Sequence, residues 1–295
     1  MSRSGFAFLV GRPNAGKSTL ANALVGQRIA ITSSRPQTTR HAVRGIVHRA
    51  DAQLVLVDTP GLHKPRTLLG QRLNDVVRAT LGEVDLVVFC VAADETVGGG
   101  DRFIAQELAA LHTPVIAAVT KTDLVPDRDR LGAQLLAVSA LGDWAEVVPV
   151  SAVAGDQVLL LEDLLVARLP EGPALYPDGE LTDEPEVVMV GELIREAALE
   201  GVRDELPHSL AVVVEEMGPR EGRTDLLDVH AIVYVERPSQ KAIVIGRGGA
   251  RMRTVGTVAR HQIEALLGTH VYLDLHVKVA KDWQRDPKQL ARMGF

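Results

Sequence analysis

The sequence predicts an α/β fold, a mostly parallel sheet with helices on both faces, followed by a smaller α+β domain. Two patterns and one motif carry that prediction. Apolar runs of strand length alternate with helical patterns over residues 1–170, and runs apolar at every position suit strands covered on both faces. A Gly-x-x-x-x-Gly-Lys-Ser element, Gly11-Arg12-Pro13-Asn14-Ala15-Gly16-Lys17-Ser18, follows the first run and opens the first helical pattern. After Pro170 the alternation stops and a different order of elements begins.

In chain order the strand-like runs are 6–10, 54–57, 86–91, 115–119 and 147–150, with 43–48 as an additional edge strand. Helical patterns lie at 18–25, 68–81, 102–111, 131–141 and 158–169. The turn groups Pro170-Glu171-Gly172-Pro173 and Tyr176-Pro177-Asp178-Gly179 close this domain. We therefore expect a first domain over 1–170, a linker over 171–185 and a second domain over 186–295. In the second, 192–205 reads as a helix, 210–216 and 226–235 as strands, 252–267 as a helix and 271–279 as a strand. A glycine loop at 246–249 precedes the later helix, with a strand expected before it.

At 295 residues the chain suits one large or two modest domains, and 46% hydrophobic residues can fill their cores. Aromatics are 3%, so those cores are aliphatic. No apolar run reaches the roughly 20 residues that span a bilayer, and no signal-peptide pattern precedes the first strand. The single cysteine, Cys90, excludes an intrachain disulfide framework and reads as a small buried apolar residue. A cytoplasmic protein is expected. The net charge of −6 is unevenly placed: from Arg237 onward eleven Lys and Arg face four Asp and Glu, which leaves +7 there and −13 elsewhere. A basic end on an acidic chain points to a polyanionic partner.

Strand, glycine loop and helix start aim backbone N–H groups at a phosphate chain, so Gly11 to Ser18 predicts a nucleoside triphosphate with magnesium. In that reading the loop amides and Lys17 hold the β- and γ-phosphates, the Ser18 hydroxyl binds magnesium, and Thr19 follows in the helix. Asp58-Thr59-Pro60-Gly61 comes at a strand end, where α/β sheets bind ligands. Asp58 can face the metal, and Gly61, without a Cβ, can bring its N–H close to the γ-phosphate. Thr120-Lys121-Thr122-Asp123 follows the run 115–119. A carboxylate at 123 accepts from N1–H and the 2-amino group of guanine. Adenine has neither donor and would leave a buried Asp123 unpaired, which argues for GTP over ATP. Ser151-Ala152 follows the run 147–150, where backbone amides can meet the guanine carbonyl. Each short element alone would be an ordinary loop; their order at successive strand ends makes a site.

These residues resemble the translational GTPase superclass, and within it the Era family. Gly11 to Ser18 is similar to the first motif, Pro36-Gln37-Thr38-Thr39-Arg40 to the second and Asp58 to Gly61 to the third. Thr120 to Asp123 and Ser151-Ala152 are similar to the fourth and fifth, and Asp58-Thr59-Pro60-Gly61-Leu62-His63 is especially family-like. The resemblance implies a mobile segment 32–40 in which Thr39, rather than Thr38, closes on magnesium and the γ-phosphate. It implies slow intrinsic hydrolysis, because Leu62 stands where Ras-like enzymes carry a water-orienting glutamine. Asn14 resembles the asparagine that holds a potassium ion in potassium-activated relatives; a simple turn residue is the alternative. Thr120 departs from the family's asparagine. A hydroxyl offers fewer hydrogen bonds than an amide, so a weaker tether to the phosphate loop is expected, with guanine choice left to Asp123. His63 reads as a solvent-facing switch residue rather than a base.

In the second domain Ile245-Gly246-Arg247-Gly248-Gly249 supplies a Gly-x-x-Gly loop before a helix carrying Arg251 and Arg253. Such a loop can lie against a nucleic-acid backbone and clamp about four nucleotides. Arg247, Arg251 and Arg253 would add phosphate contacts, and Ile243, Val244 and Ile245 would floor the site under the bases. The order of elements resembles a KH domain of type II. The resemblance implies binding to the 3′ end region of 16S ribosomal RNA and a role in maturing the small (30S) subunit, with GTP hydrolysis as a timer. Two other classes compete: a scaffold whose nucleotide is structural, and a membrane-transport G domain, disfavoured by the lack of a spanning run. Peripheral contact of the basic end with anionic lipid is compatible with the charge. Trp283 reads as a packing anchor, and His261, His270 and His276 lack metal-ligand spacing.

Overall fold

The computed structural model describes residues 2–32, 39–62, 67–81, 84–200, 209–223 and 225–295. Outside them lie most of the expected second motif including Thr38, His63, and the end of the helix expected over 192–205. The chain divides into two compact units, 1–66 with 70–183, and 67–69 with 184–295.

The first unit is built on a six-stranded sheet: β1 (Arg3–Gly11), β2 (Val43–His48), β3 (Ala52–Asp58), β4 (Leu86–Ala92), β5 (Val115–Thr120) and β6 (Glu146–Pro149). Its order is β2-β3-β1-β4-β5-β6. Only β2 runs antiparallel, at one edge; the other neighbours pair in parallel. The helices are α1 (Lys17–Val25), α2 (Leu68–Leu81), α3 (Gly99–Ala109), α4 (Arg128–Ser139) and α5 (Val158–Val166). Leu20, Leu24, Leu161 and Leu165 of α1 and α5 pack on Leu9, Leu54, Leu56, Val88 and Ile116. On the opposite face Ile104, Leu108 and Val138 of α3 and α4 pack on Phe8, Val10, Val87 and Phe89. Every residue of β3, β4 and β5 is buried, which is why those runs carry no polar alternation. Each Val, Leu, Ile or Phe among them stabilises the fold by about 1.5–3 kcal/mol.

Parallel register brings the C-terminal ends of β1, β3, β5 and β6 to one edge of the sheet, and the first, third, fourth and fifth predicted motifs leave from those ends. Residues 170–183 run along the sheet rather than away from it. Ile46 N donates to Leu181 O at 2.9 Å, so the outer side of β2 is paired. His48 Nε2 donates to Glu180 O at 2.7 Å, and Gln53 bonds the backbone of Leu175 and Tyr176. Asp183 accepts from Arg44 at 2.8 Å and from the Tyr176 hydroxyl at 2.9 Å. The turn residues were legible in the sequence; these attachments, made across more than 120 positions, were not.

The second unit contains α6 (Glu186–Leu199), β7 (Ala211–Pro219), β8 (Leu226–Val235), α7 (Pro238–Ile245), α8 (Ala250–Leu267), β9 (His270–Val279) and α9 (Pro287–Arg292). The sheet order is β7-β8-β9, with β7 antiparallel and β9 parallel to β8. One expectation is corrected here: the segment before the glycine loop is a helix, not a strand. The run Ala242-Ile243-Val244-Ile245 has strand-like composition, but the start signals prevail. Pro238 occupies the first turn, and Gln240 Oε1 accepts from Glu236 N and Arg237 N at 2.9 and 3.0 Å. Trp283 is fully buried, donates Nε1–H to Ser209 O at 3.0 Å and stacks on Phe295, as an anchor should.

Candidate functional site

In the first unit a cavity of about 600 Å³ lies over the glycine loop, with Asn14, Lys17, Ser18, Thr39, Gly61 and Lys121 in its wall. Pro13, Gly16 and Thr19 also line it. The loop turns through two left-handed residues, Asn14 at φ 64° and Gly16 at φ 82°. Gly11 ends β1 so close to β4 that a Cβ would sit 2.4 Å from Cys90 O. Ala15 is buried in the core beneath. Lys17 is 5% exposed and donates Nζ to Arg12 O at 2.9 Å and Gly11 O at 3.3 Å.

Three oxygen groups converge beside Lys17. Ser18 Oγ donates to Asp58 Oδ2 at 2.6 Å, Thr39 Oγ1 stands 2.8 Å from Ser18 Oγ, and Thr39 Oγ1 reaches the same Asp58 oxygen at 3.3 Å. Asp58 is fully buried, and its Oδ1 has no hydrogen-bond partner among the described residues. Burial pushes the Asp58 carboxyl above the usual range and the Lys17 ammonium below it, each partly offset by the other's charge. A buried carboxylate oxygen without a partner, flanked by two hydroxyls, is a hard-oxygen set that fits magnesium.

The Asp58 segment is fixed by Thr59, whose hydroxyl donates to Leu9 O at 2.8 Å, and by Leu62 N, which donates to Gly11 O at 3.2 Å. Pro60 between them is buried. Gly61 lies against the loop backbone: a Cβ there would stand 2.4 Å from Pro13 N. That approach requires glycine for space, not for backbone angle. Leu62 is 3% exposed and packs into the core, so it offers no polar group to a water.

The strand ends of β5 and β6 supply the rest. Thr120 Oγ1 donates to Ala15 O at 2.7 Å in a buried setting. The hydroxyl thus reaches the phosphate loop through this one bond. Lys121 adopts φ 58° and lies 3.5 Å from Asp94. Asp123 is exposed rather than buried, with one carboxylate oxygen accepting from Ser151 Oγ at 2.6 Å. Ser151 is fully buried, and Ala152 follows it half-buried. Arg12, within the glycine loop, directs its guanidinium to Glu95 and Asp101. Thr32, at the start of the expected segment 32–40, lines the cavity too, as do Glu95, Ile31 and Val153, which no local sequence signal marks.

In the second unit a groove of about 770 Å³ runs between the glycine loop, α8 and β9. Gly246, Gly248 and Gly249 take φ of 75°, 56° and 76°, and a Cβ on Gly246 would stand 2.7 Å from Arg251 Cβ. Lys241, Arg253 and Arg260 line the groove, and among its described lining no carboxylate appears. Val271, Leu273, Leu275 and Val277 supply the apolar wall. Arg253 Nη2 donates to Gly248 O at 3.1 Å, and Arg247 is exposed on the loop. Three expectations change. Arg251 turns inward and donates to Ala198 O and Glu200 O, closing the C-terminal end of α6. Val244 is fully buried, and Ile243 is 55% exposed and absent from the groove, which leaves Ile245 as the part of that run lining it. Arg260 was missed, although its spacing of seven from Arg253 on one helix places both on one face.

Residues 6–121 match the family described as 50S ribosome-binding GTPase, and residues 205–284 match the KH domain family. The GTPase Era of Streptomyces coelicolor is 71% identical over 302 residues, covering 99% of this chain and 95% of that protein. The chain belongs to the Era family of GTPases. The GTPase Era of Mycolicibacterium smegmatis is 68% identical over 296 residues, covering 99% of both proteins. Two solved Era structures share the Era-family fold at 33% identity. One is a complex with MgGDPNP and nucleotides 1506–1542 of 16S ribosomal RNA, with a TM-score of 0.96 over 100% of this chain and 99% of that one. The other is an Aquifex aeolicus Era variant bound to GDP and AlF4−, with a TM-score of 0.95 over 99% of both chains.

Proposed function

We propose that this Era-family GTPase is a cytoplasmic switch that binds the 3′ end region of 16S ribosomal RNA through its second unit and assists maturation of the small (30S) subunit. The convergence of Ser18, Thr39 and the orphaned Asp58 oxygen beside Lys17 carries the nucleotide half of that reading. The carboxylate-free basic groove at the glycine loop supports the RNA half. Ser18 and Thr39 would hold magnesium, with Asp58 directly or through water. Bound magnesium supplies charge neutralisation on the phosphate oxygens. Lys17 and the loop amides orient the phosphates, Gly61 brings its N–H to the terminal one, and Asp123 with Ser151 and Ala152 selects guanine.

Leu62 leaves the attacking water without a side-chain partner at that position, which supports slow intrinsic hydrolysis. Asn14 in its left-handed turn is our candidate for holding a potassium ion at the phosphates. Attachment of the basic segment to anionic lipid at the inner membrane face belongs to the same proposal and rests on charge alone; no helix among the described residues is long and apolar enough to cross a membrane. The test is turnover of GTP with magnesium by the purified chain, together with retention of a 16S 3′ fragment in the GTP-analogue and GDP states. Equal affinity for ATP and GTP would defeat the nucleotide assignment. Equal RNA affinity in both states would defeat the switch.

A further inference from the structure

Arg12 sits inside the phosphate loop, yet its side chain does not line the cavity itself. Nη2 donates to Glu95 Oε2 at 2.8 Å, and Nη1 donates to Asp101 Oδ2 at 3.1 Å. Asp101 is 2% exposed and its Oδ2 also accepts from Gly98 N at 2.8 Å, so it already caps the start of α3. The helix opens with Gly98, Gly99 and Gly100, a poor composition for a helix start. Gly100 has a steric reason: a Cβ there would stand 3.0 Å from Arg12 Cδ. Space has been left for the arginine stem.

The backbone of Arg12 is a junction. Its carbonyl accepts from Lys17 Nζ, and the Arg12–Pro13 peptide is the surface that Gly61 abuts. Glu95 stands in the wall of the nucleotide cavity, where a free carboxylate would repel a phosphate chain. The same guanidinium therefore meets two needs. It bolts the peptide facing Gly61 to α3, and it pairs the one acid lining the cavity among its described residues.

We propose that Arg12 is a positioning residue for hydrolysis, acting from outside the cavity by fixing the Arg12–Pro13 peptide against α3 and neutralising Glu95. The inference rests on the guanine-nucleotide reading of this site. The more negative nucleotide feels both effects more strongly, since GTP carries the phosphate that Gly61 reports. The Arg12–Glu95 pair is partly exposed and screened, whereas Asp101 is buried and expensive to leave unpaired. Lysine can satisfy one carboxylate but not bridge both.

The experiment compares wild type, Arg12→Gln, Arg12→Lys, Glu95→Gln and the Arg12→Gln/Glu95→Gln double variant, using fluorescent GTP and GDP analogues and single-turnover hydrolysis, with melting curves to check folding. Arg12→Gln should weaken GTP about tenfold and slow the single-turnover rate about tenfold, the scale of one charge-assisted hydrogen bond, with GDP changed by under about threefold. Arg12→Lys should fall between, and adding Glu95→Gln should recover part of the GTP loss. Equal weakening of GTP and GDP with an unchanged hydrolysis rate would make Arg12 merely structural, and absence of recovery by Glu95→Gln would remove the electrostatic half. If Arg12→Gln does not fold, the Arg12→Lys series with and without Glu95→Gln decides by the same criteria. A wild type that binds neither guanine nucleotide would sink the site assignment itself, a result distinct from variants that bind as wild type does.

Discussion

Thr120→Val tests the tie between the base-selecting strand end and the phosphate loop. Valine keeps the shape and removes only the hydroxyl, which donates to Ala15 O at 2.7 Å. Both partners are 4% exposed, so water cannot replace the lost donor freely. Stranding a buried carbonyl costs about 1–3 kcal/mol. Part of that cost appears as lost fold stability, because the bond joins two strand-end segments of the domain, and the remainder appears as affinity, because the same bond holds the loop that cradles the phosphates. At about 1.4 kcal/mol per tenfold, the expected loss is about three- to tenfold for GTP and GDP alike. Titration with fluorescent GTP, GDP and ATP analogues, beside urea denaturation, reads both shares. Guanine over adenine preference should hold, since Asp123 and Ser151 are untouched. Thr120→Ser keeps the hydroxyl and should lie close to wild type. The tether reasoning fails if Thr120→Val matches wild type in both assays, if Thr120→Ser is as damaging, or if guanine preference collapses.

Gly61→Ala places a methyl 2.4 Å from Pro13 N and should lower the single-turnover hydrolysis rate at least about tenfold, seen by phosphate release, because the segment must back away from the loop. Arg253→Ala should reduce the slope of log affinity for 16S RNA against log salt by about one, whereas Arg251→Ala should leave the slope unchanged and lower the melting temperature instead. Glu264 accepts Val271 N–H at 3.0 Å, and this bond holds its carboxyl below the usual carboxylate range. A depressed folded value contributes stability above the unfolded pKa that is lost as pH falls through the folded one. Glu264→Gln should therefore flatten the acid-side loss of denaturation midpoint, and an unchanged acid slope would refute the assignment.

The sheet was legible because parallel strands buried on both faces leave uninterrupted apolar runs, and the phosphate site because each motif stands at a strand end. What escaped the sequence was partnership. Arg251 reads as a phosphate ligand from its neighbours in the chain, yet it answers carbonyls of α6, and Arg12, whose loop was expected to serve through its amides, sends its side chain to Glu95 and Asp101, more than 80 positions away. Thr120 offers fewer hydrogen bonds than an asparagine, and the one it donates goes to Ala15 O, 105 positions away, a partner no local pattern marks. In α7, β-branched composition spoke for a strand, and the cap formed by Pro238 and Gln240 overruled it.

The attachment of residues 170–183 along β2 has a practical consequence for dissecting the molecule. A fragment ending at Leu169, where the apolar pattern stops, would strip the covering from Ile46 N, His48 and Gln53 and present a raw sheet edge to other chains. One ending after Asp183 keeps that seam closed. The severed shorter piece should self-associate at concentrations where the longer one stays dispersed, and the natural place to cut lies fourteen residues beyond the last residue of the apolar pattern.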